Sequence, residues 1–208
     1  KNIKTQELCI FMANVSQNWL NNLDAMTFEI ARIFTDGYNK KLHGSEIARL
    51  LKMPQRTVSR KLDSLCSLNV LRFSREGKNK LYYLNKTEPI TEHFLILVEG
   101  YKALQFVKKN ILISQLFKDK PCDLIVFGSY AKGNNKKDSD IDIVFLSEKN
   151  KKIEEFINKF PVEAHAQFSS LSKIKQKIKN KDALALEIKD NHIVFGNLGE
   201  IIKIFMEN

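Results

Sequence analysis

The stretch 124-LIVFGSYAKGNNKKDSDIDIVFL-146 places two aspartates, Asp140 and Asp142, inside an otherwise apolar run and sets Gly128 and Ser129 directly after another apolar run. Two like charges on one strand add nothing to a core, so they call for a cation or a ligand. Leu124–Phe127 reads as a buried strand, and the Gly-Ser pair after it opens a helix. A strand running into such a turn leaves backbone N–H groups unpaired and pointing outward, a ready place for a phosphate. Gly128 allows close backbone approach, and the Ser129 hydroxyl adds a donor. Downstream, side chains alternate along a strand, so Asp140 and Asp142 point one way while Ile141 and Ile143 go to the core. By strand rise the two carboxylates stand roughly 7 Å apart at the backbone, and a cation between them relieves their repulsion. Mg²⁺ takes oxygen ligands and usually shares them with substrate phosphates, so the pair suits a nucleoside triphosphate carrying Mg²⁺.

An apolar strand, Gly-Ser, ten intervening residues and Asp-x-Asp together resemble the signature of the DNA polymerase β-like nucleotidyltransferase superfamily. The closest likeness is to its minimal members, which include antitoxins of toxin–antitoxin pairs. The match is close over Asp123 to Leu146 and looser over the rest of the second half. The resemblance implies that Gly128 and Ser129 hold the triphosphate of an NTP substrate and that Asp140 and Asp142 bind two Mg²⁺ ions. It further implies transfer of a nucleoside monophosphate to a hydroxyl of a protein, RNA or small molecule. Lys132 stands where the family often has a basic residue, and it either neutralises phosphate or is a surface lysine. The family uses a third carboxylate on a following strand as ligand or base. In "PVEAHAQFSS" alternation puts Glu163, His165 and Gln167 on one face, and Glu163 is the carboxylate available there for catalysis and metal binding. The usual aspartate between two bulky apolar residues is absent, which leaves a shifted or missing third ligand as the alternative. His165 is read as an acceptor contact or as exposed.

The 208 residues, 43% of them apolar, provide core for two small domains. The net charge of +10 is uneven: residues 1–86 carry 15 basic and 7 acidic side chains, residues 87–208 carry 19 and 17. The first part is therefore the candidate polyanion binder, with a solvated surface as the bland reading. Between Leu23 and Thr87 the pattern predicts three helices and a hairpin. Phe28, Ile30, Ile33 and Phe34 form the first stripe. Ser45 serves as N-cap of a helix with Ile47, Leu50 and Leu51, and Pro54 sits in the first turn of a helix with Val58, Leu62, Leu65 and Leu68. "EGKN" then turns a hairpin. Helix-turn-helix plus hairpin resembles a winged-helix DNA-binding domain, with "QRTVSRKLDSL" similar to its recognition helix. The resemblance implies that Gln55, Arg56, Thr57, Ser59 and Arg60 contact DNA while Arg72, Arg75, Lys78 and Lys80 charge the wing. Such modules also dock proteins.

Residues 87–120 read as a helical connector of one or two helices. There Phe94, Leu97, Val98, Tyr101 and Leu104 offer a seam for the other domain or for a second copy of the chain, a homodimer. The lysines of "SKIKQKIKNK" spread around a helix and make a solvated face. Cys9, Cys66 and Cys122 are odd in number and widely spaced, the pattern of reduced thiols, and no stretch has the length of a membrane span. The expected chain is a cytoplasmic protein without membrane partners. It has a winged helix-turn-helix domain (1–86), the connector (87–120) and an α/β (α+β) nucleotidyltransferase domain with a small mixed sheet (121–208). The rival reading is a DNA-binding transcriptional regulator or antitoxin whose second domain only binds nucleotide or a partner such as a toxin.

Overall fold

The computed structural model describes residues 23–207. They form two compact units, one of residues 23–34 and 39–91, the other of residues 35–38 and 92–207. Cys9 lies outside the described residues.

In the first unit, α1 (Ala25–Thr35) is followed by β1 (Leu42–His43), α2 (Gly44–Leu51), α3 (Gln55–Ser67), β2 (Leu71–Glu76) and β3 (Asn79–Leu84). Asp24 starts α1 by accepting from the Thr27 N–H at 2.9 Å, and its other oxygen holds Lys61 Nζ of α3 at 2.8 Å. The nearly buried Lys61 is thereby committed to the core. Ile30, Phe34, Ile47, Val58, Leu62 and Leu65 are fully buried, as their helical spacing requires. The hairpin turns at Gly77, whose φ of +59° fits the first position of a two-residue loop. β3 pairs on both sides, giving the antiparallel order β1-β3-β2. Three local expectations are corrected. Ser45 does not cap α2, because β1 pairs His43 with Leu81 and the helix starts two residues early, at Gly44, with His43 in the N-cap position. Pro54 precedes α3 as its N-cap residue, since its extended ψ of 131° is not helical. Leu50 is exposed although it stands one turn after the buried Ile47, at the solvent edge of the apolar face of α2.

The second unit takes up α4 (Pro89–Lys109) from residue 92 onward. It continues through α5 (Ile111–Leu116), a 3₁₀ turn at Phe117–Asp119, β4 (Leu124–Phe127), α6 (Gly128–Lys132), β5 (Ile141–Phe145) and α7 (Lys151–Ile157). β6 (Ala164–Phe168), α8 (Leu171–Lys179), α9 (Ala183–Asp190), β7 (His192–Phe195) and α10 (Leu198–Glu207) complete it. The sheet order is β6-β5-β4-β7, with β4 antiparallel to β5 and β7, and β5 parallel to β6. This small mixed sheet is the α+β architecture expected from the sequence. Leu124, Val126, Ile141, Ile143 and Ile193 send alternate side chains into one core with Phe106, Phe117 and Phe156. β4 is buried at every position because it is central. Along α4, Phe94 and Val98 are buried, whereas Leu97 and Leu104 are exposed. On α8, Ile174 and Ile178 are buried and Lys175 pairs with Glu207, so its lysines lie mostly on the outer face.

A buried charge cluster ties α4 to β7 and to residues 35–38. The fully buried Glu99 carboxylate lies 3.2 Å from His192 Nε2 and 3.0 Å from Lys102 Nζ, and it accepts from the Tyr38 hydroxyl at 3.2 Å. Lys102 also reaches the Thr35 hydroxyl at 3.2 Å. His192 Nδ1 faces the carbonyl of Lys189 at 2.9 Å, so that nitrogen carries a hydrogen. Burial acts to raise the Glu99 pKa, but Lys102 and His192 outweigh it and bring it down to about 2. Cys66 and Cys122 are free thiols, and burial pushes Cys66 up to about 11. No helix among the described residues is long and apolar enough to cross a membrane.

Candidate functional site

The ends of β4 and β5 meet where the chain leaves β4. Pairing sets Phe127 opposite Asp142, so the next residue, Gly128, turns directly over the Asp142 side chain. Gly128 has φ +67°, and a Cβ placed there would lie 2.2 Å from Asp142 Oδ2. Two independent constraints, backbone hand and carboxylate contact, thus demand glycine. Gly128→Ala is expected to cost about 1–3 kcal/mol for the left-handed backbone alone. The Cβ also pushes Asp142 aside, so ligand binding falls together with the melting temperature, and a thermal melt beside a nucleotide titration checks both.

Asp140 stands just before β5, where the Ile141 N–H donates to the Glu163 carbonyl at 2.9 Å. The parallel β5–β6 register then sets His165 beside Asp142. His165 Nδ1 lies 3.5 Å from Asp142 Oδ1, and Nε2 lies 3.7 Å from both Asp140 Oδ2 and Glu163 Oε1. Glu163 precedes β6 rather than lying on it, with 75% of its side chain exposed. Burial raises the Asp142 pKa, the neighbouring imidazole of His165 lowers it, and Glu187 and Asp140 raise it further; the net direction is upward.

A cavity of about 610 Å³ opens beside Asp142 and His165, lined also by Gly128, Gln167, Leu184 and Glu187, whereas Asp140, Glu163 and Ser129 are not part of its lining. That is within the size range of small-ligand sites. Ser129 follows Gly128 in α6 and is half-buried. Lys132, from the end of α6, places Nζ 2.8 Å from Glu187 Oε1. Its charge is thus spent on a carboxylate of the cavity wall, and the structure does not bring it to the Gly128 turn as a free cation. Glu187 carries no mark in the sequence, and Gln167 is marked only as sharing a face with His165. Glu187 is brought in from α9 by tertiary packing, and Gln167 follows from the β6 alternation only once the register is known.

Among the described residues, no three His, Cys, Asp or Glu side chains form a group that could hold a metal ion. The donor set nevertheless fits a divalent cation shared with a substrate. Two carboxylates sit beside an outward-facing glycine turn, and such ions commonly complete their shell with phosphate oxygens.

In the first unit, Gln55, Arg56 and Arg60 are exposed on α3, while Thr57 and Ser59 are half-buried. Gln55 and Ser59 share a cleft of about 260 Å³ with Lys78 and Lys80 of the hairpin. Lys80 is paired with Asp63 at 2.7 Å and Arg72 faces Glu88 at 4.0 Å. No ion pair to a described residue occupies Arg56, Arg60, Arg75 or Lys78.

No curated protein and no solved structure matches the chain. A family model does match: residues 108–204, which carry the Gly128 turn, Asp140, Asp142 and His165, match the nucleotidyltransferase domain.

Proposed function

We propose that the second unit is a divalent-cation-dependent nucleotidyltransferase that moves a nucleoside monophosphate from an NTP to a hydroxyl of a protein, RNA or small molecule. The observation that carries this reading is the Gly128 turn closed on Asp142 inside the matched domain. The backbone at Gly128 and the Ser129 hydroxyl donate to triphosphate oxygens. Asp140 and Asp142 hold the substrate through a cation, Mg²⁺ being the ion that usually accompanies a triphosphate; two such ions would neutralise developing charge and favour the ionised acceptor hydroxyl. Glu163, exposed beside this pair, is the carboxylate available as a further ligand or base. The Lys132–Glu187 pair shapes the cavity wall.

The test is transfer from each of four α-labelled NTPs, with Mg²⁺ and a lysate of the source cells, beside the Asp140→Asn/Asp142→Asn variant. Label on one macromolecule with wild type alone supports the reading and reports the acceptor class. Equal labelling by the variant would contradict it.

A second reading concerns the first unit, which we read as a winged-helix DNA-binding domain in a cytoplasmic protein. It is favoured by the cations Arg56, Arg60, Arg75 and Lys78, which have no ion-pair partner among the described residues. In the regulator or antitoxin form of this reading, the second unit only senses nucleotide or docks a partner such as a toxin. Arg56→Ala/Arg60→Ala is expected to weaken DNA binding and to reduce the slope of log K against log salt by about 0.9 for each lost phosphate contact. Retardation of the chain's own upstream DNA across a salt series measures this, and an unchanged slope would exclude the assigned phosphate contacts.

A further inference from the structure

We propose that Glu187 is a positioning residue for the nucleotide: it holds Lys132 at the cavity wall, and a triphosphate entering the cavity draws Lys132 off Glu187 and onto its phosphates. This rests on the nucleotidyltransferase reading for the presence of a triphosphate, but the exchange itself is argued from the wall of the cavity.

The starting point is a charge imbalance. Among the described residues that line the cavity there is no Lys or Arg, while Asp142 and Glu187 are both carboxylates. A carboxylate in the wall of a site opposes a polyanion unless a cation answers its charge. The Glu187 carboxylate is nevertheless built in. Leu184 and Glu187 stand three residues apart on α9 and line the cavity together, and the buried Ala185 and Ile188 anchor that helix. The Asp182 side chain caps it, accepting from the Ala185 N–H at 3.0 Å.

The answering cation is Lys132. Its Nζ lies 2.8 Å from Glu187 Oε1, which brings the ammonium to the cavity wall. Lys132 stands one turn after Gly128 on α6, so both lie on the same side of that helix. A swing of the flexible four-carbon stem carries Nζ from Glu187 toward the space beside Gly128 without moving the backbone. The pair parts readily, because its side chains are 38% and 42% exposed and ion pairs of such exposure contribute little. Hydrogen bonds from an ammonium to phosphate oxygens are charge-assisted at both ends and stronger than ordinary ones. The pair thus sets a threshold: the ligand with the most phosphate charge displaces Glu187 best, which favours triphosphates over monophosphates and nucleosides.

The test uses the full chain, titrated calorimetrically with a non-hydrolysable NTP analogue and with the matching nucleoside. Wild type is compared with Glu187→Gln, Lys132→Met and the double variant. Glu187→Gln is expected to bind the analogue about threefold to tenfold more tightly, with the nucleoside unchanged. Lys132→Met is expected to bind the analogue about tenfold more weakly. The gain from Glu187→Gln should be smaller in the Lys132→Met background, where no pair remains to be broken. Melting curves within a degree or two of wild type confirm that the variants are folded. A crystal structure of wild type with the analogue reads the exchange directly, even where a variant does not fold. Nζ is expected within hydrogen-bond distance of a phosphate oxygen and away from Glu187. An intact Lys132–Glu187 pair beside bound analogue, no gain from Glu187→Gln, or an equal gain in both backgrounds would overturn the exchange and leave the nucleotidyltransferase reading standing. No binding of the analogue to any form would sink that reading, and the exchange with it.

Discussion

Asp140→Asn/Asp142→Asn is expected to lower nucleotidyl transfer by on the order of a thousandfold or more, because cation-borne charge stabilisation is worth several kcal/mol. The same change is not expected to weaken the fold. Asp142 carries a raised pKa because burial disfavours its charge, and Glu187 and Asp140 add like charge nearby. A carboxyl raised in the folded state contributes less stability as pH climbs through and above its unfolded value, since the folded state must then hold a charge it disfavours. With no added cation at neutral pH, Asp142→Asn should therefore melt at or above the wild-type temperature while being inactive. An inactive variant that also melts well below wild type would point to a structural role for this carboxylate.

The largest stability effect is expected at Glu99. Removing one partner of a buried ionic cluster leaves the others uncompensated, at about 3–5 kcal/mol. Glu99→Ala strands Lys102 and His192 in the interior and removes the acceptor of the Tyr38 hydroxyl. Denaturant titration measures the loss, and Glu99→Gln, which keeps shape and one acceptor, should lose less. A value near zero would mean that the cluster opens to water. The pH dependence has a definite sign. The folded pKa of Glu99 is lowered to about 2 from an ordinary 4.5, so its contribution is complete above 4.5 and is lost as pH falls toward 2. Because His192 begins β7 opposite Phe127, the cluster braces the strand that ends in the Gly128 turn.

Local features were the most legible in the sequence. Gly128, Asp140 and Asp142 sit where strand alternation and a turn signal place them, and the hairpin at Gly77 follows from its turn residues. The small mixed sheet of the second unit is the one that the nucleotidyltransferase resemblance implies. What the sequence did not disclose depends on pairing between distant segments. Ser45 reads as a helix cap until β1 is seen to hold His43 and start α2 two residues early. Glu163 and His165 share a face by alternation, but only the β5–β6 register shows that the imidazole stands beside Asp142. Glu99, Lys102 and His192 are buried together, and nothing local in the sequence announces such a cluster. Glu187 reaches the cavity from a helix 45 residues beyond Asp142, and it pairs with Lys132, which the sequence left open between a phosphate contact and a surface lysine.

The most direct test of the central claim compares labels on the two ends of one nucleotide. The protein is incubated with acceptor extract and a divalent cation, in parallel with α-labelled and γ-labelled forms of the preferred NTP. Nucleotidyl transfer predicts that the acceptor keeps the α label while the γ label leaves as pyrophosphate, and that neither is kept with Asp140→Asn/Asp142→Asn. Retention of the γ label, or α labelling that survives loss of both aspartates, would contradict the account.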